Sequence, residues 1–272
     1  MGGWAKEIEE AASILSRSTQ AVATCGAGVS AESGISTFRD EGGIWDRIDP
    51  MEVGTPSGLI NTLERDAEKL LPLFIEILDT FEQAEPNPGH FALADLEDME
   101  ILKTVITQNT DNLHQEAGNT DLIEVHGNMF RMKCLACYQT KKYDRKKLIE
   151  EIREKLGQIR EYNISTLASL APRCNMCGFI TRPDVVMFSE AVQDLPRAYK
   201  VSGECDTMLV LGTSGVVYPA AYFPMEARKK GAKIIVINPT ENAFPSITDV
   251  YIPVKTGEAL PAIVNLIRGE AA

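Results

Sequence analysis

Ala21-Val22-Ala23-Thr24-Cys25-Gly26-Ala27-Gly28-Val29-Ser30-Ala31 joins a short apolar segment to a glycine-rich turn. Its opening, 21–24, is a short apolar run that reads as a buried strand. The run leads into a G-x-G-x-x-A turn that could open a helix. Backbone N–H groups at such a turn can face a pyrophosphate, and a helix N-terminus adds partial positive charge. Glycines after a strand often only close a turn, so the motif takes its weight from its surroundings. Upstream, Trp4, Ile8, Ala12 and Leu15 recur at helical spacing and predict an amphipathic helix. Downstream, where a dehydrogenase would carry a strand ending in an acid, the chain has Ser33-Gly34-Ile35-Ser36-Thr37-Phe38-Arg39-Asp40. That polar loop argues against hydride transfer.

Further β-rich apolar runs lie at 104–107, 122–125, 185–188, 208–211, 234–237 and 251–254. Helix-like stretches separate several of them, notably 220–230, stopped by Gly231, and 257–268. Strands alternating with helices predict an α/β fold with a parallel, doubly wound sheet. Two segments break the alternation. Residues 59–82 read as helix interrupted near Pro72, and 140–162 is highly charged; both are expected to build a second, smaller lobe. Leu148, Ile152, Leu156 and Ile159 keep helical spacing, which favours a solvated amphipathic helix over a binding tail.

Charge narrows the function classes. With 27 Lys+Arg against 39 Asp+Glu, the net charge of −12 opposes nonspecific binding to a polyanion and suits a basic, lysine-bearing partner. No direct nucleic-acid role is expected, although Lys141, Lys142, Arg145, Lys146 and Lys147 form a local basic cluster. No run of about 18 apolar residues occurs, and acids appear early in 1–10, so a cytoplasmic protein without membrane association is expected.

Four of the six cysteines form two C-x-x-C pairs, Cys134 with Cys137 and Cys174 with Cys177. Each pair can present two thiolates to one edge of a tetrahedron, and four thiolates leave no open position, which describes structural zinc. Two surface disulfides are the alternative. Only His90, His114 and His126 can serve as a neutral-pH base. His90 follows Pro86-Asn87-Pro88-Gly89 and reads as a cap or packing residue, and His114 as a structural residue early in a helix. His126 ends the run 122–125 before Gly127, the strand-end position where open α/β sheets carry catalytic groups. A lone histidine is nonetheless more often structural than catalytic. Gln108-Asn109-Thr110-Asp111, Gly212-Thr213-Ser214 and Asn238-Pro239-Thr240 also stand directly after strands. Asn109-Thr110-Asp111 could simply cap the next helix. Together with the glycine turn and His126 the three clusters outline one long ligand crevice.

These residues resemble the sirtuins. The resemblance runs through Gly26-Ala27-Gly28-Val29-Ser30-Ala31-Glu32-Ser33-Gly34-Ile35 with Thr37-Phe38-Arg39, Gln108-Asn109-Thr110-Asp111-Asn112-Leu113-His114-Gln115 and Glu124-Val125-His126-Gly127. It continues through both cysteine pairs, Val185-Val186-Met187-Phe188-Ser189-Glu190, and Gly212-Thr213-Ser214 with Val217-Tyr218-Pro219-Ala220. The motifs occur in the family's order and span nearly the whole chain from Ala21 onward.

The resemblance implies a Rossmann-type NAD lobe over 1–33, 91–127 and 183–272. A helical module with the cofactor loop at 34–90 and a zinc module at 128–182 would form the small lobe. NAD is then a consumed substrate and an acyl-lysine protein or peptide is the partner. The acyl oxygen would attack the ribose carbon bearing nicotinamide, giving an O-alkylimidate. His126 would next activate a ribose hydroxyl, and water would complete the reaction to lysine and O-acyl-ADP-ribose. Asn109 would order the ribose and a water, and Asp111 would hold the nicotinamide carboxamide. Gly26, Ala27, Gly28, Ser30, Ala31, Phe38, Arg39, Gln108, Thr110, Gly212, Thr213, Ser214, Asn238, Pro239, Thr240 and Thr256 would complete the NAD contacts. Val186, Phe188, Ser189, Glu190 and Val217 would contact the peptide, and the four paired cysteines would hold one zinc.

Three residues depart from the family's pattern: Cys25 for threonine, Ser189 for glycine, and Met187, which would widen the acyl channel. If position 189 needs φ > 0, serine there weakens the peptide loop. The stretch 70–78 lacks the Tyr-x-x-Arg pair of sirtuins that remove acidic acyl groups, so neutral acyl groups are expected over succinyl or malonyl; Lys69, or a cation from the zinc module, is the exception to test. ADP-ribosyl transfer and a non-catalytic zinc-ribbon regulator are the rival readings.

Overall fold

The structure, a computed structural model, describes residues 3–35 and 49–269. Phe38, Arg39 and the side chain of Lys69 lie outside what it describes. Six parallel strands form the main sheet in the order β3-β2-β1-β7-β8-β9. They are β1 (Ala21–Cys25), β2 (Leu102–Thr107), β3 (Leu122–Glu124), β7 (Thr207–Leu211), β8 (Lys233–Ile237) and β9 (Val250–Ile252). A second, antiparallel sheet has the order β5-β4-β6, from β4 (Gly127–Cys134), β5 (Thr140–Lys142) and β6 (Thr181–Val185).

The central strands are apolar on both sides because helices cover both sides. Ala21, Ala23, Cys25, Leu209, Leu211, Ile235 and Ile237 face α1 (Ala5–Leu15), α4 (Pro88–Asp98) and α10 (Thr256–Arg268). Alternate residues Val22, Met208, Val210, Ile234 and Val236 face α8 (Leu195–Glu204) and α9 (Phe223–Lys229), where Phe223 is fully buried. The helix read from Trp4 to Leu15 is α1.

The small lobe is made by two excursions from this sheet. The first carries α2 (Pro50–Val53) and α3 (Pro56–Gln83); the second carries β4, β5, α6 (Arg145–Leu156) and α7 (Ile164–Ala168) before β6. A separate core of Leu78, Phe130, Met132, Leu148, Ile149, Ile152 and Leu170 joins them. Arg145 is buried in that junction. Its Nε and one terminal nitrogen hold both Glu116 oxygens, at 2.9 and 2.7 Å, and the other nitrogen donates to Phe81 O. Glu116 sits on α5 (Leu113–Ala117), so one guanidinium ties both excursions to the main lobe. Of the basic cluster, Arg145 is thus internal, and Lys146 pairs with Glu85 at 2.7 Å.

Three local expectations change. Of the run 185–188 only Val185 is in a strand: β6 spans Thr181–Val185, in the small sheet. Pro183 lies within β6, an edge strand, where a missing donor is tolerated. The long helix breaks at Asp66 (φ −161°, ψ 76°) and runs through Pro72. Among the described residues the turn after β1 opens two short 3₁₀ turns, Ala27–Val29 and Ala31–Ser33, in place of an α-helix. Gly34 at φ 83° ends the second turn.

Candidate active site

In a parallel sheet every strand's carboxyl end lies on one edge, so the polar clusters after β1, β2, β3, β7 and β8 share that edge. Chain direction divides between β1 and β7, the switch point at which such sheets open a crevice. The crevice floor is made by glycines in mutual contact. Gly26 N donates to Leu211 O and Gly28 N to Gly212 O, each at 2.9 Å. A Cβ at Gly26 would lie 2.7 Å from Gly212 O, and one at Gly28 2.8 Å from Gly212 Cα. Gly212 itself has φ 53°, so bulk on either side of this seam would separate the loops.

Three expected residues meet directly above it. Ser30 Oγ donates to Asp111 Oδ2 at 2.6 Å, and Asn109 Nδ2 reaches Ser30 Oγ at 3.0 Å and Gly26 O at 3.1 Å. Asp111 is buried, and its second oxygen accepts from Leu113 N at 2.9 Å. Gln108 Nε2 faces Thr213 Oγ1 at 3.5 Å across the switch point. Asn238, after β8, is buried and held by Thr240 Oγ1 and Glu241 O at 3.2 and 2.9 Å. Thr256, opening α10, has a buried hydroxyl oxygen with no hydrogen-bond partner among the described residues, as a group awaiting a polar ligand would. Thr110, Ser214 and Pro239 occupy the same strand-end loops, and Ala31 opens the second 3₁₀ turn.

His126 sits between β3 and β4, partly buried, with Nδ1 3.1 Å from Gln108 O. A carbonyl oxygen only accepts, so Nδ1 carries the proton and Nε2 keeps its lone pair. Burial lowers the pKa, and the Gln108 contact partly opposes it. The ring is therefore neutral at pH 7. The other two histidines are core residues. Their rings pack edge-on, 4.9 Å apart, and burial pushes His90 down to about 3 and His114 to about 4. His90 does cap α4, its Nδ1 accepting from Asn87 N at 3.3 Å.

The segment expected to meet peptide leaves β6 beside His126: Val186 N donates to His126 O at 2.9 Å. Phe188 N donates to Gly54 O at 2.8 Å, and the Phe188 ring is about half exposed. Glu190 closes the loop, taking Arg182 at 2.7 and 2.9 Å and Met187 N at 2.9 Å. Ser189 has φ 73°, the left-handed conformation that favours glycine. Ser189→Val is expected to cost roughly 1–2 kcal/mol, and Ser189→Gly to be neutral or stabilising by up to about 1 kcal/mol. A valine variant that melts at the wild-type temperature would show that this φ is not required. Val217 follows the loop after β7, where its carbonyl accepts from Ala221 N at 2.9 Å.

Two residues shape the site without having been singled out. Asn87 Nδ2 holds Val29 O at 2.8 Å and Ser33 Oγ at 3.0 Å, pinning the glycine turn to the start of α4. Glu32 accepts from Gly257 N at 2.8 Å, pinning the same turn to α10. Asn-Pro at 87–88 is an N-cap signal; its second use is invisible in sequence.

All six cysteines are free, and the Sγ atoms of Cys134, Cys137, Cys174 and Cys177 lie within 4.8 Å of one another. Neighbouring sulfurs are 3.5–3.6 Å apart, close to the edge of about 3.8 Å in a zinc–thiolate tetrahedron. The two loops repeat one construction: Cys134 N donates to Gln139 O and Cys174 N to Phe179 O, and the residue after each second cysteine, Tyr138 or Gly178, has positive φ. Ala136 N and Cys137 N point at Cys134 Sγ from 3.4 and 3.5 Å, as donors to a thiolate do. The donor set fits zinc. Among the described residues no helix is long and apolar enough to cross a membrane.

A model of the Sir2 family matches residues 26–219. The chain is 52% identical over 261 residues to the NAD-dependent protein deacylase of Desulfosudis oleivorans, covering 96% of each. Among solved structures, it matches a Sir2 protein bound to a myristoylated histone peptide at 36% identity and TM-score 0.70, covering 97% of each chain. It also matches a Sir2 variant holding a deacetylated p53 peptide and 3′-O-acetyl-ADP-ribose, at 29% identity and TM-score 0.72, covering 95% of this chain and 98% of the other.

Proposed function

The chain belongs to the Sir2 family, and from that premise we propose that it removes acyl groups from protein lysines with consumption of NAD, His126 acting as the base. The relative named an NAD-dependent protein deacylase supports the activity, and the relatives bound to acylated or deacetylated peptides support an acyl-lysine substrate. The carrying observation is the joint placement of His126 and the Ser30–Asn109–Asp111 cluster at one sheet edge. Expelling nicotinamide develops positive charge on the ribose, which needs a held, partly dehydrated sugar more than a strong acid. Asn109, Ser30 and Asp111 supply fixed polar groups for that end, and the glycine seam with Gly212–Ser214 and Asn238 lines the adenosine half. His126 Nε2 takes a proton from a ribose hydroxyl, which then receives the acyl group to give O-acyl-ADP-ribose. The relative holding 3′-O-acetyl-ADP-ribose supports that product. A zinc ion on the four cysteines would lock the small sheet that delivers the peptide segment. Incubation with NAD and an acetyl-lysine peptide should release nicotinamide and deacetylated peptide in equal amounts. Nicotinamide release without deacetylation would favour ADP-ribosyl transfer or NAD hydrolysis.

Neutral acyl groups should be preferred. No arginine or tyrosine occurs between Arg65 and Arg131. Two cations that the zinc module brings to α3 are already paired, Arg145 with Glu116 and Arg153 with Asp79 and Glu82. Leu73 and Ile77 are half-buried on α3, and Phe74 packs on the small-lobe core. An unpaired carboxylate among such side chains costs several kcal/mol, so kcat/KM for acetyl-lysine should exceed that for succinyl-lysine by about 10²-fold. Equal or faster removal of succinyl from the same peptide would defeat this preference.

A further inference from the structure

Beneath His126 lies a buried polar assembly that the chemistry above does not use. Its centre is Arg131, on β4 and about seven-eighths buried. Each arm of its guanidinium holds a different segment. Nε donates to Asp184 Oδ2 on β6 at 2.7 Å, one terminal nitrogen donates to Glu124 on β3, and the other to Gln193 Oε1 at 3.2 Å. Gln193 also donates to Asp184 Oδ1 at 3.0 Å, and its backbone N–H to Val125 O at 3.0 Å.

These segments converge on two functional stretches. Glu124 lies two residues before His126, and Asp184 two residues before Val186, whose N–H holds His126 O. Between them Gly127, at φ 80°, is pressed so closely on β6 that a Cβ would lie 1.8 Å from Asp184 O. The His126–Gly127 turn therefore cannot shift without β6, nor β6 without the turn. Asn128 extends the assembly: its amide nitrogen touches Glu124 and, at 3.0 Å, Asn112 Oδ1, beside Asp111. Asn112 itself has φ 71°.

An ion-pair cluster of this kind is a poor choice for stability alone, since a well-packed apolar core of the same volume does as well or better. What it adds is direction, because a planar fork fixes three partners at defined angles. We propose that Arg131 is a positioning residue, bracing the His126 turn against the peptide-bearing segment 186–190 so that Nε2 meets the ribose hydroxyl. The inference rests on the deacylase reading. In that reaction nicotinamide is expelled before His126 acts, so a displaced histidine slows acyl transfer while leaving nicotinamide expulsion and its reversal intact.

The zinc-loaded protein is compared with Arg131→Met and Arg131→Lys. The measurements are deacylation of an acetyl-lysine peptide, peptide-dependent exchange of labelled nicotinamide into NAD, NAD affinity and melting temperature. Arg131→Met should lower deacylation at least 10-fold while exchange and NAD affinity stay within about 3-fold; Arg131→Lys should recover part of the loss. Unfolding would slow both reactions together, so the split distinguishes positioning from stability. If Arg131→Met does not fold, the isosteric Glu124→Gln is read in the same way, because its amide has one acceptor oxygen for the donors of Arg131, Gln115 and Asn128, and its NH2 must face either the guanidinium or the other two. Wild-type deacylation in a folded variant, or equal loss of deacylation and exchange, overturns the inference. A wild-type protein that releases no nicotinamide with acetylated peptide overturns the deacylase reading instead.

Discussion

His126→Ala is expected to leave a folded, NAD-binding protein whose deacylation has fallen by about 10²–10⁴-fold. The Gln108 carbonyl fixes the ring with Nδ1 protonated, so Nε2 is the free base. Substitution by the two remaining histidines is blocked by position and charge. Both are buried against each other behind Asp111, and pKa values of about 3 and 4 keep them neutral in the core. The stability cost is small, since one hydrogen bond to a carbonyl is lost, worth about 1 kcal/mol. Burial lowers the His126 pKa. The base form thus persists as pH falls, and the acid limb of kcat should lie below the ordinary imidazole value of about 6.5. Turnover of the alanine variant at the wild-type rate would sink the assignment, as would a pH profile lacking that limb.

Zinc removal should have the second-largest effect, and on a different property. Cys134 ends β4 and the second cysteine pair leads into β6, so a metal on the four cysteines would close the sheet from which the segment 186–190 emerges. A structural zinc site contributes on the order of 10 kcal/mol of apparent binding energy at pH 7, which is folding energy for whatever the site organises. Cys174→Ser should reduce bound zinc well below one per chain and lower the melting temperature. Peptide turnover should be lost before NAD affinity, because the NAD crevice is built on the main sheet. Metal analysis, calorimetry and NAD titration of the same sample decide this. A metal-free preparation with full activity and an unchanged melting temperature would show that the four cysteines are not a zinc site.

Sequence exposed the parts of this molecule whose chemistry is local. The glycine turn, the paired cysteines and the polar clusters after apolar runs could be read because each is a short motif with a physical reason for its spacing. The central strands were legible because helices cover both their faces, leaving unbroken apolar runs. β6 was not, since Thr181-Arg182-Pro183-Asp184 carries almost no strand signal and owes its conformation to pairing with β4. The break at Asp66 was hidden behind a proline that breaks nothing. Least visible were the long-range polar links. No periodicity relates Arg131 to Glu124, Asp184 and Gln193, which meet once the second excursion has returned to the main lobe, or Arg145 to Glu116 and Phe81, which meet once both excursions have folded on each other. Position 189 does adopt φ > 0, a backbone angle that the identity of the residue does not reveal.

The strand order carries a consequence for how the chain is made. β1 ends at Cys25, yet β7, its partner on one edge, begins at Thr207. Ribosomes add about 5–20 residues per second, so a nascent chain holds that edge of β1 unpaired for roughly 10–40 s. The waiting edge is Ala-Val-Ala-Thr-Cys, short and uncharged, and unpaired strands of that kind template association between chains. Translation that stalls anywhere between the two strands leaves the centre of the sheet open, and release at such a point yields a fragment prone to aggregate, whichever lobe it contains.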